Sequence, residues 1–123
     1  MKVGRIYKLH CDGICSNVAV SDDLTLNLYF GGTLIGTLAP VAKTYTTAEW
    51  DLDVNVTIRT VGASGTMAVH GEMYIFDGNE GKFIALHSID TTAANSMTLK
   101  VLWSAAKAGN TISVYQGSLE LKN

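Results

Sequence analysis

His10, Cys11 and Cys15 are residues of the types that hold zinc. A structural zinc site needs four ligands, usually paired at tight spacing, and only His70 and His87 remain as further donors. The set is incomplete. The same residues fit the end of a strand carrying buried thiols, and no metal or other cofactor is expected. Asp77-x-Asn79-x-Gly81 echoes the start of a calcium loop. An EF-hand loop would close on an acidic residue where Ser88 stands, and helices should flank it. Asp-Gly and Asn-Glu-Gly are also what a hairpin turn requires, so a turn is expected there.

Asp51 and Asp53 share one face of a strand, a spacing that could serve paired-carboxylate catalysis. Opposite Trp50 and Leu52 they read instead as solvent-side charges on an edge that rejects stray strands. Ser64 lies in Gly-Ala-Ser-Gly, whereas a nucleophile elbow needs Gly-x-Ser-x-Gly on a strand-to-helix turn, and a strand follows here. Tyr29, Tyr74, Tyr115 and Trp103 could stack on sugar rings. Aromatics are ordinary in strands, and Trp103 lies in phase with Leu99 and Val101, which favours core packing. No catalytic constellation emerges, so the chain reads as a non-enzyme.

The elements that would position these residues are strands. In WDLDVNVTIRTV, residues 50–61, apolar and polar side chains alternate with a period of two. That is the mark of a strand with one buried and one wet face. Further strands are expected at 3–11, 24–30, 33–38, 66–76, 82–89, 96–103 and 111–121. This share is high even for an all-β domain, so several ends should prove shorter. Gly31-Gly32, Gly62-Ala63-Ser64-Gly65, Asp77 to Gly81 and Ala108-Gly109-Asn110 punctuate them. Two longer connections, 12–23 and 39–49, could each carry a turn of helix.

Strand faces follow from parity. Leu24, Leu26, Leu28 and Phe30 share a face, as do Met67, Val69, Gly71, Met73 and Ile75, with His70, Glu72, Tyr74 and Phe76 opposite. Met97, Leu99, Val101 and Trp103 form a third set. Ile112 and Val114 are out of phase with Leu119 and Leu121, and a bulge near Gln116-Gly117 would restore the phase. About eight strands with short turns and a few long crossings fit one domain over 1–123, an antiparallel β-sandwich of jelly-roll type.

The composition bounds the partners. The formal net charge is −2, with 9 basic and 11 acidic residues and no basic cluster, so neither nucleic acid nor an anionic membrane is indicated. No unbroken apolar stretch exceeds four residues, as in Phe83-Ile84-Ala85-Leu86, far too short to span a bilayer. Charged residues make up only 16%, a lean polar coat that fits either a well-filled core or surface covered by neighbouring subunits. Met1-Lys2-Val3 leads straight into a strand-like run without a signal-like segment, so reduced, mostly buried thiols are expected.

The order of segments carries a resemblance. A Gly-Arg-Ile-Tyr opening strand precedes a Leu-rich strand ending in Phe30-Gly31-Gly32-Thr33. A Trp-led strand runs into Thr60-Val61-Gly62-Ala63-Ser64-Gly65-Thr66 and on to Gly71. Asp90-Thr91-Thr92-Ala93-Ala94-Asn95, Leu99-Lys100-Val101-Leu102-Trp103-Ser104-Ala105 and Asn110-Thr111-Ile112-Ser113-Val114 follow, with a terminal Leu-Glu-Leu. Over nearly its whole length the chain resembles the small jelly-roll domains of tailed-bacteriophage virion proteins, which include capsid decoration proteins and the tips of head and tail fibres. The resemblance implies a structural virion protein, assembled in the bacterial host cytoplasm, working as a homotrimer on the major capsid protein or another virion protein. A fibre-tip role would add a host receptor or surface glycan as partner. A cyclic trimer joins two different patches. The wet faces with apolar members are the candidate interface: His70, Tyr74 and Phe76, or Phe83, Ala85 and Ile89.

Overall fold

In the computed structural model, residues 1–40, 43–76 and 78–122 are described, Asn79 by its backbone alone. Eight strands follow in order: β1 (Ile6–Asn17), β2 (Leu24–Phe30), β3 (Thr33–Leu38), β4 (Tyr45–Thr60), β5 (Gly65–Ile75), β6 (Asn79–Ile89), β7 (Met97–Trp103) and β8 (Thr111–Lys122). No helix occurs among the described residues, in the two long connections or elsewhere. Several ends are shorter than expected, β1 starting at Ile6, β4 ending at Thr60, β5 at Ile75 and β7 starting at Met97, while others run on. β1 continues through Asp-Gly-Ile-Cys-Ser-Asn, a turn-like sequence that is held extended by pairing with β4 and β8 on either side. β4 likewise begins at Tyr45 rather than Trp50.

The strands form two antiparallel sheets, β6-β5-β4-β1-β8 and β3-β2-β7. This is an antiparallel β-sandwich divided five against three. Short turns dictate much of the order. Gly31 and Gly32 both adopt positive φ, 59° and 80°, which lets β2 fold directly back into β3. β4, β5 and β6 form a meander, with Gly65 N donating to the Gly62 carbonyl in the first link and Gly78 N to the Ile75 carbonyl in the second. The β1:β8 and β2:β7 pairings bring distant segments together.

The core lies between the sheets. Leu24, Leu26, Leu28 and Phe30 of β2 face Trp50, Leu52, Val54, Val56 and Ile58 of β4, with Met67, Val69, Met73 and Ile75 of β5 beside them, all buried. These parities match the alternation in the sequence. β4 is the central strand of the larger sheet, not an edge, so Asp51 and Asp53 lie mid-sheet with neighbours on both sides. The phase change in β8 is a bulge at Tyr115. Asp12 pairs Gln116 and Gly13 pairs Val114, leaving Tyr115 as the extra residue, next to the expected place.

The sandwich closes at one side only. β3 lies against β5 and β6, whereas β7 and β8 do not approach each other. The register puts Val114, Leu119 and Leu121 on the core side of β8, because Gly13, Leu9 and Tyr7 stand opposite them. It likewise puts Met97, Leu99, Val101 and Trp103 on the core side of β7, opposite the β2 leucines and Phe30. With no strand bridging this side, Val114 (56%), Leu119 (57%) and Leu121 (48%) stay exposed although they face inward. Trp103 and Leu99 are only half-buried.

Candidate functional site

The candidate zinc ligands do not converge. Parity places Cys11 and Cys15 on the core side of β1 and His10 on the outer side. Cys15 is buried and donates to the Ala48 carbonyl at 3.7 Å, and Cys11 is half-buried. No disulfide joins them. Burial, and secondarily Asp12, pushes the Cys11 thiol above its ordinary 9.0, which holds it protonated and poorly nucleophilic. His70 and His87 lie on β5 and β6, separated from β1 by β4. Among the described residues no group of three or more His, Cys, Asp or Glu side chains could hold a metal ion. The calcium-like pattern falls partly outside the described residues, since Asp77 and the Asn79 side chain are not among them. Ser64 sits in the β4–β5 turn with a strand after it.

The polar side chains with the most chemistry gather on the outer face of the larger sheet. Pairing across β8, β1, β4 and β5 sets Gln116, Asp12, Asp51 and Tyr74 in one row and Ser118, His10, Asp53 and Glu72 in the next. Acidic groups thus stand opposite one another, Asp12 by Asp51 and Asp53 by Glu72, an arrangement that is unfavourable without compensation. Compensation comes from several donors. Gln116 Nε2 donates to Asp12 Oδ2 at 2.7 Å. Lys8 Nζ lies 3.4 Å from Asp53 Oδ1. Lys82 Nζ reaches Glu72 at 3.2 Å and Glu80 at 3.1 Å, which raises the Lys82 ammonium above its ordinary value, Glu80 contributing most. Among the described residues Asp51 has no such donor. Burial, and then the Asp53 charge, push its carboxyl above the ordinary 3.8.

His10 sits among these carboxylates with Nδ1 3.3 Å from Asp53 Oδ1 and Nε2 3.5 Å from Asp12 Oδ2. Both ring nitrogens are engaged by acids, so neither is left to activate a hydroxyl in the manner of a Ser-His-Asp triad. Beside this row opens a shallow cleft of about 370 Å³, lined by His10, Asp12, Glu49, Asp51, Phe76 and Tyr115 among others. Phe76 and the bulge residue Tyr115 form exposed aromatic walls, and Tyr74 packs edge-on against Phe76 at 5.3 Å. The arrangement can accept hydrogen bonds from hydroxyl or cationic groups and cover an apolar ring face. Among the described residues its lining carries carboxylates and an imidazole but no serine, threonine or cysteine.

The six candidate interface residues separate by face. His70, Tyr74 and Phe76 are exposed on the outer side. Phe83, Ala85 and Ile89 are on the core side of β6, opposite Gly71, Val69 and Gly65, which corrects their assignment to a wet face. Ile89 is buried, and the Phe83 ring is packed where a Cβ on Gly36 or Gly71 would otherwise sit. The exposed apolar residues of β6 are instead Ile84 (83%) and Leu86 (76%), which lie beside His70 and Ala68. In the unbroken run Phe-Ile-Ala-Leu both parities are apolar, so alternation alone does not select the face.

One buried charge escaped the sequence reading. Asp22, in the β1–β2 connection, is only 2% exposed. Its carboxylate accepts from Lys107 Nζ at 2.7 Å and Asn110 Nδ2 at 2.8 Å, tying this loop to the one that leads into β8. Asp23 and Ser104 add reciprocal bonds at 2.7 and 2.9 Å. The Lys107 bond, then that of Asn110, holds the Asp22 carboxyl below its ordinary 3.8. A carboxyl lowered in the folded state contributes stability that is fully present above the unfolded value and lost as pH falls through the folded one. Acid titration of stability is therefore expected to show a loss beginning near pH 3.8. The loss should be smaller in Asp22→Asn, and equal acid limbs for the two proteins would refute the assignment.

No helix among the described residues is long and apolar enough to cross a membrane. Comparison with protein-family models, with curated proteins and with solved structures gives no match.

Proposed function

We propose that this chain is a non-enzymatic structural protein of a bacteriophage virion, a capsid decoration protein that works as a homotrimer on the outside of the particle. The observation that carries the assembly reading is the open side of the sandwich. Val114, Leu119 and Leu121 face the core side yet meet water, and apolar patches without a cover mark association surfaces. The virion setting rests on the order of turns and strands described above. We read the sandwich as a jelly-roll variant, since its β1:β8 and β2:β7 pairings are those of a long hairpin folded over on itself. The partners are then further copies of the chain and the major capsid protein or another virion protein. The balance of charges favours neither nucleic acid nor an anionic membrane.

Light scattering coupled to size exclusion tests the assembly. The expected result is a particle of three 13.1 kDa chains at all but the lowest concentrations. A clean monomer at high concentration would sink the reading.

The outer cleft supports a second reading, a fibre tip that binds a host glycan. Exposed Phe76 and Tyr115 beside Asp12 and Asp51 are the side-chain types that stack on sugar rings and accept their hydroxyls. Glycan binding that disappears in Tyr115→Ala while assembly persists would favour the tip. Absence of binding to surface glycans of any host would leave the decoration reading alone.

A further inference from the structure

We propose that the open β7–β8 side of one copy is closed by the outer face of β6 from the next copy, so that assembly is head-to-tail and closes into a ring. The inference rests on the assembly reading above and names its surfaces. Two features locate them. The first is the mouth itself, where inward-facing Val101, Val114, Leu119 and Leu121 are exposed. The second is the pair Ile84 and Leu86, the most exposed of the large apolar side chains among the described residues.

The strands β8 of the mouth and β6 are the opposite edges of the larger sheet, and the mouth adds Val101 from β7 of the smaller one. The two patches share no residue. A partner that covered one would leave the other wet, whereas a ring of identical copies covers both with a single repeated contact. Heterologous contacts build rings where the rotation between copies closes, as the trimer proposed above requires, and they need two different patches on each copy.

Charge points to the same occupant. The core of each patch carries no charged side chain. The rims carry both signs, Glu120 with Lys122 on β8 and Glu80 with Lys82 on β6. A surface neutral at its centre and mixed at its rim suits a partner of the same character rather than a polyanion or polycation. The free edges of β7 and β8 could also accept a strand from an unrelated protein. That would leave Ile84 and Leu86 exposed, so it is the outcome the experiment must separate.

The test uses two variants of the whole chain, Ile84→Arg and Leu119→Arg, both at exposed positions, with circular dichroism and melting to establish that each remains folded. Each alone is expected to lose the ring, its mass falling to that of one 13.1 kDa chain. Mixed in equal amounts they should form a one-to-one pair of twice that mass. The intact mouth of Ile84→Arg accepts the intact β6 face of Leu119→Arg, and both remaining surfaces are blocked. Assembly unaffected by either substitution would overturn the proposal while leaving the assembly reading standing. So would loss with Leu119→Arg only, or a mixture that stays monomeric. A monomeric wild-type chain would overturn both. Should a variant fail to fold, Ile84→Gln or Leu119→Gln replaces it and the same pattern is required.

Discussion

Alanine at Trp50 is expected to lower stability by about 3–5 kcal/mol, the cost of deleting a large buried aromatic from a core that cannot collapse around the gap. Trp50 is 1% exposed and sits on the central strand β4, between Gly13 of β1 and Ile75 of β5. Its indole Nε1 donates to the Ser113 carbonyl at 3.2 Å, so truncation also leaves that oxygen without this donor. Trp103 has the same place in the sequence pattern, in phase with aliphatic neighbours, but a different place in the fold. It lies half-buried at the open side of the sandwich. Trp103→Ala should therefore cost the isolated chain less, roughly 1–2 kcal/mol in proportion to the smaller burial. Denaturant unfolding of both variants decides the matter. A loss below about 1 kcal/mol for Trp50→Ala, or equal losses for the two, would contradict the burial described here.

The contrast between the two tryptophans shows where the sequence is legible. Period-two alternation gives the parity of a strand, and it does so well from Trp50 to Ile58 and from Leu24 to Phe30, because core and solvent impose opposite polarities on alternate residues. Turn glycines locate the hairpins for a similarly local reason. The Ile112 and Leu119 phases in β8 even disclose a bulge before any pairing is known. Parity does not say which strands lie beside one another, and that is a non-local matter. Alternation puts Asp51 and Asp53 on the wet side of β4, where the structure has them, but nothing local to the strand reports that β1 and β5 flank it, so the edge expected there is a central strand. Their rows, one with Asp12 and one with His10, depend on the β1–β4 register, which joins His10 to Asp53 across 43 positions of chain. Asp22 gives no local signal for the same reason, since Lys107 and Asn110 reach it from the far end of the sequence. In β6 the signal is absent altogether. Four consecutive apolar residues satisfy both parities, and only the contact of the Phe83 ring with Gly36 and Gly71 fixes which side is in. That ambiguity has a functional face: a strand apolar on both sides is what an edge covered on both sides would need.

Alanine at Gly13 is expected to be the most damaging of the small substitutions, about 3 kcal/mol, at the upper end of what overpacking costs. The reason is steric rather than conformational. A Cβ at Gly13 would fall on the Ser113 carbonyl oxygen, the acceptor of the Trp50 indole. That oxygen is backbone and has little room to move. β8 carries its extra residue, Tyr115, at this point, with Asp12 held to Gln116 on one side and Gly13 opposite Val114 on the other. The bulge brings the β8 backbone down onto β1, and glycine is the residue that allows the approach. With a methyl group inserted, the first half of β8 must lift away. Hydrogen exchange should then show lost protection over 111–116, while Leu119 and Leu121, paired beyond the bulge with Leu9 and Tyr7, keep theirs. Because Val114 forms part of the open mouth, the same lift should also weaken assembly. A variant that unfolds within about 0.5 kcal/mol of wild type, with β8 fully protected, would show that the two strands do not meet as closely as this register requires.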